Sequence, residues 1–412
     1  MSISFQFLGG ANEVGSVALE LAMDGTRFLC DYGYSPAKPP RFPQRLTTTP
    51  DILLLSHAHV DHSGMVPALC GRSDVGILAT PPTQMLAELL AHDSLKVAKN
   101  EGYGLPYDRQ DVKFTRECFD ISGFGGSREV NGVEVRLRSA GHIPGATMFE
   151  IDGSRKLLFT GDINTVDTNL VRGTKPRKCD ILFVESTYAG REHPDRKDTE
   201  KRFLDSIEET VERGGRAVVP VFAVGRTQEV LMMLFRSDFD IWLDGMGQKV
   251  DMLLLEEPQF LRDPGLLRKA EGRANYVKGD YMRSKAAKGE VIVTTGGMLD
   301  GGPVLTYLRL LKEDKKSKVF LTGYQVEGTN GRLLAEKGLI DLGDGPEKIA
   351  PSVEFFDFSA HCGHSELVEF VKGCGPEKVV LFHGDDRAKL AADLGDFDVV
   401  IPRNMEKVRL HD

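Results

Sequence analysis

The chain has 412 residues, of which 41% are hydrophobic and 27% are charged, and its net charge is −9. This length suits two domains that each bury their own core. The negative charge argues against a protein that coats itself in nucleic acid, although a locally positive groove stays compatible with it. No uninterrupted apolar run is long enough to span a bilayer, so we expect no membrane segment.

The N-terminal segment MSISFQFLGGANEVG begins directly with a strand-like alternation. It lacks the basic region, the apolar region and the cleavage site of a secretory signal, which predicts a cytoplasmic protein. The six cysteines are scattered singly and form no CxxC pair. This usage is typical of a reducing compartment and of buried or inert thiols, so we expect no cysteine among the ligands of a metal site.

The order of the secondary-structure signals divides the chain into three sections. Residues 1–185 contain mostly short β-rich runs such as ISFQFLG, DILLLS and KLLFTGD, separated by turns with Gly and Asp. From about residue 198 helical and strand-like runs alternate, the pattern of βαβ units around a largely parallel sheet. After about residue 346 the runs VEFFDFSAH, ELVEFVKG and KVVLFHGD follow.

The strongest motif is SHAHVDHSG, directly after the apolar strand DILLLS. Because side chains alternate along a strand, His57 and His59 lie on one side, while Asp61 and His62 lie in the turn before the next helix. Imidazole and carboxylate are donors that zinc prefers, and a catalytic site leaves one position open for water. The alternative is a polar loop with incidental histidines. Three of the ten histidines fall within six positions, which argues against it.

Two further strand ends, SAGHIPGA and KLLFTGDI, present His142 and Asp162. Each alone is more often structural, since a strand-end Asp commonly forms a turn. In order with the first motif, they complete a two-metal set, and a carboxylate such as Asp162 can bridge two ions, an arrangement suited to displacement at phosphorus. Asp31 ends another apolar strand. It is predicted to orient a metal-bound histidine, with a turn or capping role as the alternative.

The ordered set from Asp31 to Asp162 resembles the four-layer αββα metallo-β-lactamase hydrolases. Three later motifs narrow this resemblance to the β-CASP nucleases: FVESTYAG with Glu185, FSAHCGHSEL with His361 and LFHGD with His383. PVFAVGRTQEVL, WLDGMG, TTGGMLDGGP and LTGYQVEGTNGRL are also similar to runs typical of that family. The resemblance covers nearly the whole chain. It is strongest to archaeal cleavage-and-polyadenylation-factor nucleases without a KH extension, with RNase J as a near neighbour.

The resemblance implies an α/β fold with a β-CASP cap domain, residues 186–345, inserted into an αββα metallo-β-lactamase domain. Residues 1–185 and 346–412 then form the two parts of the metallo-β-lactamase domain. The resemblance also implies two zinc ions (Zn2+) per chain. The ligands that it implies are His57, His59 and His142 for one ion, Asp61, His62 and His383 for the other, and Asp162 as the bridge.

The activity that the resemblance implies is zinc-dependent hydrolysis of RNA phosphodiester bonds in mRNA 3′-end processing, RNA maturation or decay. His383 is typical of the RNA-directed members. We predict that His361, oriented by Glu185, is the general acid that protonates the leaving 3′-oxygen, and we count Asp61 among the catalytic residues. Endonuclease activity is favoured, with 5′-to-3′ exonuclease activity as the alternative. RNA is the expected partner, and a homodimer or a larger RNA-processing complex stays open.

Two loops are predicted to bind substrate phosphate, because each combines glycines with a base where a strand ends and a helix begins. They are LTGYQVEGTNGR and VGRTQE. The alternative is that their glycines serve only tight turns. The predicted phosphate contacts are Arg226, Gly323, Tyr324, Gly328, Thr329 and Arg332.

The chain departs from the family pattern at two points: Gly363 stands where an acidic residue is common, and the third motif reads HGD where HGE is usual. His364 is interpreted as a helix-start or surface residue. Three other functions remain as alternatives. The first is a small-molecule hydrolase, for which the cap-like section and His361 would have no obvious function. The second is an inactive RNA-binding scaffold, which the complete ligand set disfavours. The third is a DNA nuclease, which His383 disfavours.

Overall fold

The computed structural model of the chain describes residues 3–37, 39–46, 48–71, 73 and 75–411. The chain forms two compact units. Unit 1 consists of Met1–Asp167, Arg172–Glu192 and Ala360–Asp412, and unit 2 consists of Thr168–Val171 and His193–Ser359. Among the described residues, no helix is both long enough and apolar enough to cross a membrane.

The secondary structure is numbered here in chain order. Strands β1 to β22 are Ile3–Gly9, Ala18–Met23, Thr26–Tyr32, Ile52–Leu54, Gly76–Ala79, Phe119–Ile121, Ser127–Val130, Val133–Ser139, Thr147–Asp152, Lys156–Phe159, Ile181–Glu185, Ala217–Val221, Ile241–Asp244, Asn275–Tyr276, Val291–Thr295, Lys318–Leu321, Leu339–Asp341, Pro346–Lys348, Ser352–Phe355, Lys378–Phe382, Asp398–Val400 and Lys407–His411. Helices α1 to α13 are Val60–Ser63, Val66–Cys70, Pro81–Glu101, Arg109–Thr115, Arg196–Glu212, Arg226–Leu234, Gly247–Glu256, Pro264–Arg273, Arg283–Ala286, Val304–Leu311, Asn330–Lys337, His364–Cys374 and Arg387–Asp393. Short 3-10 helices span Arg116–Cys118, Pro258–Phe260 and Asp280–Met282.

Unit 1 contains two seven-stranded mixed sheets, with the orders β22-β1-β2-β3-β4-β5-β6 and β21-β20-β11-β10-β9-β8-β7. In the first sheet, β3, β4, β5 and β6 run parallel to one another. In the second sheet, β10, β11, β20 and β21 do the same. The carboxyl ends of each parallel group therefore lie along one edge of their sheet, where ligand sites of α/β sheets commonly form.

The two sheets of unit 1 share one hydrophobic core. Phe5 and Phe7 in β1 alternate with more polar neighbours, so both rings point to the same face. The ring of Phe5 lies 5.0 Å from that of Phe183 in β11, and the ring of Phe7 lies 5.5 Å from that of Phe382 in β20. Because each ring is buried between strands of different sheets, the sheets form the two inner layers of the predicted α/β sandwich.

Unit 2 contains a six-stranded sheet with the order β14-β13-β15-β12-β16-β19. Every neighbouring pair in this sheet is parallel. Its core includes Val218 from β12, Ile292 from β15, Val319 from β16 and Tyr307 from α10. The alternation of helices and strands in the sequence therefore predicted the parallel sheet correctly, and the loops after β12, β15 and β16 lie at its carboxyl edge.

The chain passes between the two units four times, because the short segment Thr168–Val171 also belongs to unit 2. The long segment of unit 2 runs from residue 193 to residue 359, whereas the predicted cap domain, which stays a prediction, runs from 186 to 345, so a difference exists at each end. The reason for the second difference is β19, which pairs in parallel with β16 and so belongs to unit 2. The sequence VEFF predicts a strand, but it contains no signal of the sheet that the strand joins.

Candidate metal centre

The predicted metal ligands all lie in unit 1, where strands of its two sheets end. Because parallel strands place their carboxyl ends at one edge, these distant chain segments meet. Asp31 lies in β3, His57 and His59 follow β4, Asp61 and His62 lie in α1, His142 follows β8, Asp162 follows β10, Glu185 ends β11, His361 precedes α12 and His383 follows β20.

Three histidines turn one ring nitrogen each towards a common point. His57 Nε2 and His142 Nε2 each lie 3.1 Å from His59 Nδ1. Nitrogen ligands at tetrahedral positions about 2.0–2.1 Å from a zinc ion are about 3.3 Å apart, so this spacing fits a shared metal. Asp162 lies beside this group, with its Oδ2 at 3.5 Å from His57 Nε2. The four side chains together form the first ligand group.

Asp61, His62 and His383 form a second ligand group. Asp61 Oδ2 lies 3.5 Å from His383 Nε2 and 4.0 Å from His62 Nε2. Both of these Nε2 atoms are buried and have no hydrogen-bond partner. An unsatisfied buried polar atom costs roughly 1–3 kcal/mol, so the arrangement favours a ligand that both nitrogens can contact. A metal ion bound by imidazole and carboxylate meets that requirement.

Asp162 lies between the two groups. Its Oδ2 is 3.3 Å from His62 Nε2 of the second group and 3.5 Å from His57 Nε2 of the first. Its Oδ1 accepts a hydrogen bond of 3.0 Å from His383 Nδ1. One carboxylate oxygen therefore faces both groups, as a bridging ligand requires, while the other oxygen fixes the tautomer of His383.

Asp31 controls the orientation of two of these histidines. It is fully buried, and its Oδ2 accepts hydrogen bonds of 2.7 Å from His62 Nδ1 and from the Ser56 hydroxyl. Because the single hydroxyl proton of Ser56 is used in this bond, Ser56 Oγ accepts from His57 Nδ1 at 3.0 Å. Both rings therefore direct an Nε2 lone pair into the site. His142 is fixed in the same way, because its Nδ1 donates to the Ala360 carbonyl at 2.8 Å.

The backbone of Asp31 is in the left-handed region, with φ of +58°. This conformation is uncommon outside glycine and costs about 1–3 kcal/mol. Its cause is a bulge against β2, where Leu19 pairs with Cys30 and Ala18 pairs with Tyr32, so Asp31 has no partner in the ladder. The bulge turns the carboxylate towards Ser56. His383 shares this conformation, with φ of +53°, which concentrates backbone strain at the site.

Sequence reasoning missed three residues that support the ligands: Ser56, Ala360 and Gly33. Gly33 lies against the backbone of α1, and a Cβ atom there would lie 1.9 Å from the Asp61 carbonyl. Only glycine therefore allows α1 to approach β3 closely enough. Ser56 directly precedes the first motif and could have been noticed. The Ala360 carbonyl leaves no trace in the sequence, because any residue offers one.

The two ligand groups differ in their protonation. Burial, with the nearby His62 imidazole, lowers the pKa of His57 well below its ordinary value, and burial lowers the pKa of His59 to about 4. Burial also acts to lower the pKa of His62 and His383, but surrounding carboxylates, Asp162 foremost, more than offset it. The pKa of His62 therefore rises well above its ordinary value, and that of His383 rises to about 9.

His361 and Glu185 lie beside the first ligand group. His361 Nδ1 donates to Glu185 Oε1 at 2.9 Å, and Glu185 also accepts the backbone N–H groups of Ile163 and Thr187. With Asp162 these two residues are close enough to form a third candidate ligand group. Glu185 already accepts hydrogen bonds from three donors, which favours a role in positioning His361. His361 Nε2, at 4.0 Å from Asp162 Oδ2, belongs to a side chain that is 19% exposed.

Carboxylates also determine the charge of His361. Burial acts to lower the pKa of His361, but the Glu185 and Asp162 carboxylates more than offset it, so the pKa is raised. The neighbouring His364 begins α12, as its sequence interpretation predicted, and its Nε2 pairs with Asp393 at 2.7 Å. Gly363, in place of the usual acidic residue, is the N-cap of this helix, and its N–H donates to Glu366.

The predicted phosphate contacts lie in unit 2 and are largely engaged elsewhere. The Thr329 hydroxyl caps α11 by accepting from the Arg332 N–H, and Gly328 has a φ of +81°. The Arg332 guanidinium pairs with Glu336, one turn further along the same helix. Arg226 lies over the ring of Phe358, 5.9 Å from its centre. Gly323 and Tyr324 lie on the loop after β16. Phosphate binding by these residues stays a prediction.

Comparison with protein families agrees with this geometry. Residues 26–218 match the beta-lactamase superfamily domain, residues 203–334 the Beta-Casp domain, and residues 346–402 the Zn-dependent metallo-hydrolase RNA specificity domain. The chain is 36% identical to "Probable RNase MJ4" of Methanocaldococcus jannaschii, with 98% of this chain and 99% of that protein aligned. The chain belongs to the β-CASP family of metallo-β-lactamase-fold proteins.

Two other relatives extend the comparison of this β-CASP chain. RNase aCSPSF2 of Saccharolobus solfataricus is 36% identical, with 100% of this chain and 86% of that protein aligned. Transcription termination factor FttA of Methanocaldococcus jannaschii is 29% identical over 99% of this chain and 72% of its own length. A crystal structure of an Enterococcus faecalis protein of unknown function covers both chains fully, with a TM-score of 0.64 and 14% identity, which indicates a shared fold alone.

The Asp31 network makes a prediction about metal affinity in this β-CASP protein. Asp31→Ala leaves the Nδ1 atom of His62 without its acceptor and frees Ser56, so two ligand rings lose their fixed orientation. We expect the affinity for Zn2+, measured by competition with a chromophoric chelator, to fall about 10–100-fold. Asp51→Ala, which removes an exposed carboxylate just before β4, is the matched control. Equal affinity of the Asp31→Ala and parent proteins would contradict the orienting role.

The protonation of the two groups predicts two kinds of metal binding. The three histidines of the first group are neutral between pH 6 and 9, because the pKa of each is lowered, so an ion binds there without displacing a histidine proton. In the metal-free protein the pKa of His62 is raised well above its ordinary value and that of His383 is about 9, so binding at the second group must release a proton from each imidazole. We expect the second affinity to rise through this range by up to about tenfold per pH unit for each proton released. Calorimetry in buffers of different ionisation enthalpy measures the released protons. His383→Ala should reduce the number of protons released at the second group, and two pH-independent events would contradict the assignment.

Proposed function

We propose that this β-CASP protein is a zinc-dependent ribonuclease that hydrolyses RNA phosphodiester bonds. The observation that supports this most is the pair of ligand groups that share one oxygen of Asp162. Two metal ions about 3.5–4 Å apart suit in-line displacement at phosphorus. The match of residues 346–402 to an RNA specificity domain, which includes His361 and His383, supports RNA as the substrate. Ribonuclease names of the relatives agree with this proposal.

In the proposed site each ligand group would hold one zinc ion, and Asp162 would serve both groups. Asp61 would be a ligand in the second group and would take part in the reaction in that way. When bound, the ions supply an activated water as the nucleophile and positive charge against the charge that develops on the phosphoryl oxygens. The protein holds the ligand rings in place through Asp31 and Ser56, and it keeps the site largely closed to bulk water.

His361 is proposed as the general acid. Glu185 accepts from its Nδ1, so the proton available for transfer is on Nε2, which lies on the Asp162 side of the ring. The carboxylates of Glu185 and Asp162 raise the pKa of His361, which favours the protonated imidazole that an acid requires. The proton moves from Nε2 to the departing 3′-oxygen as the P–O bond breaks. His361 and Glu185 thus act as acid and positioning residue.

The broader context is proposed on the same basis. We favour endonucleolytic cleavage during mRNA 3′-end processing, RNA maturation or decay, in the cytoplasm, with 5′-to-3′ exonuclease activity as the alternative. A homodimer or a larger RNA-processing complex suits such a role. In the proposed substrate path, the loop from Gly323 to Arg332 contacts RNA phosphates through its backbone and the Arg332 side chain.

The central test is cleavage of RNA labelled internally or at its 5′ end, with and without a chelator. We expect cleavage that is lost on chelation and restored by zinc, and elemental analysis should give about two zinc ions per chain. Asp162→Ala should lose metal and activity together, because Asp162 Oδ2 faces both ligand groups. A protein that retains at most one ion after zinc-supplemented expression, or that cleaves DNA in preference to RNA, would contradict the proposal.

The role of His361 is tested by His361→Ala. We expect this variant to keep both zinc ions and its RNA affinity and to lose about 10²–10⁴ in cleavage rate, since only the proton donor is missing. On a substrate with sulfur in place of the leaving 3′-oxygen, the loss should shrink sharply, because a thiolate departs without a proton. His364→Ala, three residues along, is the matched control and should cleave normally. Loss of zinc, or an equal defect on both substrates, would rule out the acid role.

A further inference from the structure

At the carboxyl edge of the unit 2 sheet, the chain segments at the ends of β12, β15 and β16 are connected by hydrogen bonds. The Thr322 hydroxyl after β16 donates to the Pro220 carbonyl in β12 at 3.0 Å. Gln325 is buried, and its Nε2 donates to the Gly297 carbonyl after β15 at 3.0 Å and to the Gly323 carbonyl at 2.9 Å. These bonds span three adjacent strands, so the loops form one rigid surface.

Phe222 lies at the centre of this surface, directly after β12. A Cβ atom placed on Gly297 would lie 3.3 Å from the Cδ1–Cε1 edge of the Phe222 ring, and one placed on Gly323 would lie 3.4 Å from Cε2 on the opposite edge. The two glycine backbones therefore lie close to opposite edges of the ring. The Phe222 carbonyl accepts from the Thr227 hydroxyl at 2.8 Å and from its N–H at 3.1 Å. Both backbone and ring are thus held in place.

Despite this support, Phe222 is 37% exposed, and Tyr324, which follows Gly323, is 41% exposed. A phenylalanine fixed between two backbone segments and still open to water loses little conformational entropy when a flat partner stacks on it. A partner protein is a poorer match, because a stable interface buries roughly 800 Å² on each side and an exposed ring or two supply far less. A nucleobase needs only the area of one ring.

We propose that Phe222, with Tyr324 beside it, is a stacking platform for bases of single-stranded RNA. The inference rests on the proposed ribonuclease function and adds a binding mode that its phosphate contacts do not provide. Every base has a π-face, so a platform of this kind binds RNA without selecting a sequence. It also binds through a contact that salt does not screen, in contrast to arginine–phosphate contacts.

The test compares Phe222→Leu with the parent in the full-length, zinc-loaded protein. All proteins also contain His361→Ala, so that the RNA stays intact during titration. Leucine keeps an apolar side chain and removes the aromatic face. Binding of a single-stranded oligouridylate is measured by fluorescence anisotropy, alongside an abasic oligomer of the same length and charge. Phe124→Leu is the matched control, because Phe124 is also 37% exposed and lies in unit 1.

We expect Phe222→Leu to bind the oligouridylate about 5–150-fold more weakly, the range that one base–aromatic stack supplies. Its affinity for the abasic oligomer and the dependence of its RNA affinity on salt should match those of the parent. Arg332→Ala should instead weaken both oligomers and reduce the salt dependence. Equal affinity of Phe222→Leu and parent for the oligouridylate, or an equal loss on both oligomers, overturns the platform. If the protein with His361 intact binds RNA but never cleaves it, the ribonuclease proposal is overturned and the platform is not.

Discussion

Negative charge buried at the meeting edges of two sheets is the constraint on which the rest of unit 1 depends. Asp31 and Glu185 are fully buried, and Asp162 is 2% exposed. A carboxylate removed from water is strongly destabilising unless donors or cations compensate it. Here imidazole N–H groups, a serine hydroxyl and backbone N–H groups do so, and they come from both sheets. The packing of the sandwich and the formation of the site are therefore one event, and a bound metal adds to the stability of the fold.

The same constraint explains the strained backbone. A left-handed conformation at Asp31 is unfavourable by itself, yet it is the conformation that points the carboxylate at Ser56 and His62. The hydrogen bonds that it makes to these groups are charge-assisted and short, and such bonds are roughly twice as strong as neutral ones. At His383 the left-handed backbone allows Nδ1 to donate to Asp162 while Nε2 faces Asp61. At both positions the strained backbone therefore sets the orientation of a side chain in the candidate site.

The structure brings the sequence-predicted ligand residues together, and the sequence could single them out because they follow apolar strands, whose ends are visible in hydrophobic patterns. The ligand set around His57 and Asp162 and the parallel sheet of unit 2 follow from such local signals. The boundary between the units does not follow from local signals, because the strand Ser352–Phe355 joins its sheet through backbone pairing that any residues can make. The hydrogen bond from His142 Nδ1 to the Ala360 carbonyl could not be predicted either, because every residue has a backbone carbonyl. In unit 2, a glycine loop before a helix looks alike whether it binds phosphate or, as at Thr329, caps the helix.

The distribution of the site along the chain has a consequence for biosynthesis. All residues of the first ligand group precede residue 163 in the chain, whereas the second group also requires His383. The strand Lys407–His411, which pairs with Ile3–Gly9 in the first sheet, follows later still. Translation proceeds from the N-terminus, so a nascent chain contains the first group long before the second. A nascent chain that ends after residue 162 but before residue 361 therefore contains the four residues of the first group but neither His361 nor His383. The complete set of proposed ligands, together with the proposed acid, is present only after His383 has been synthesised.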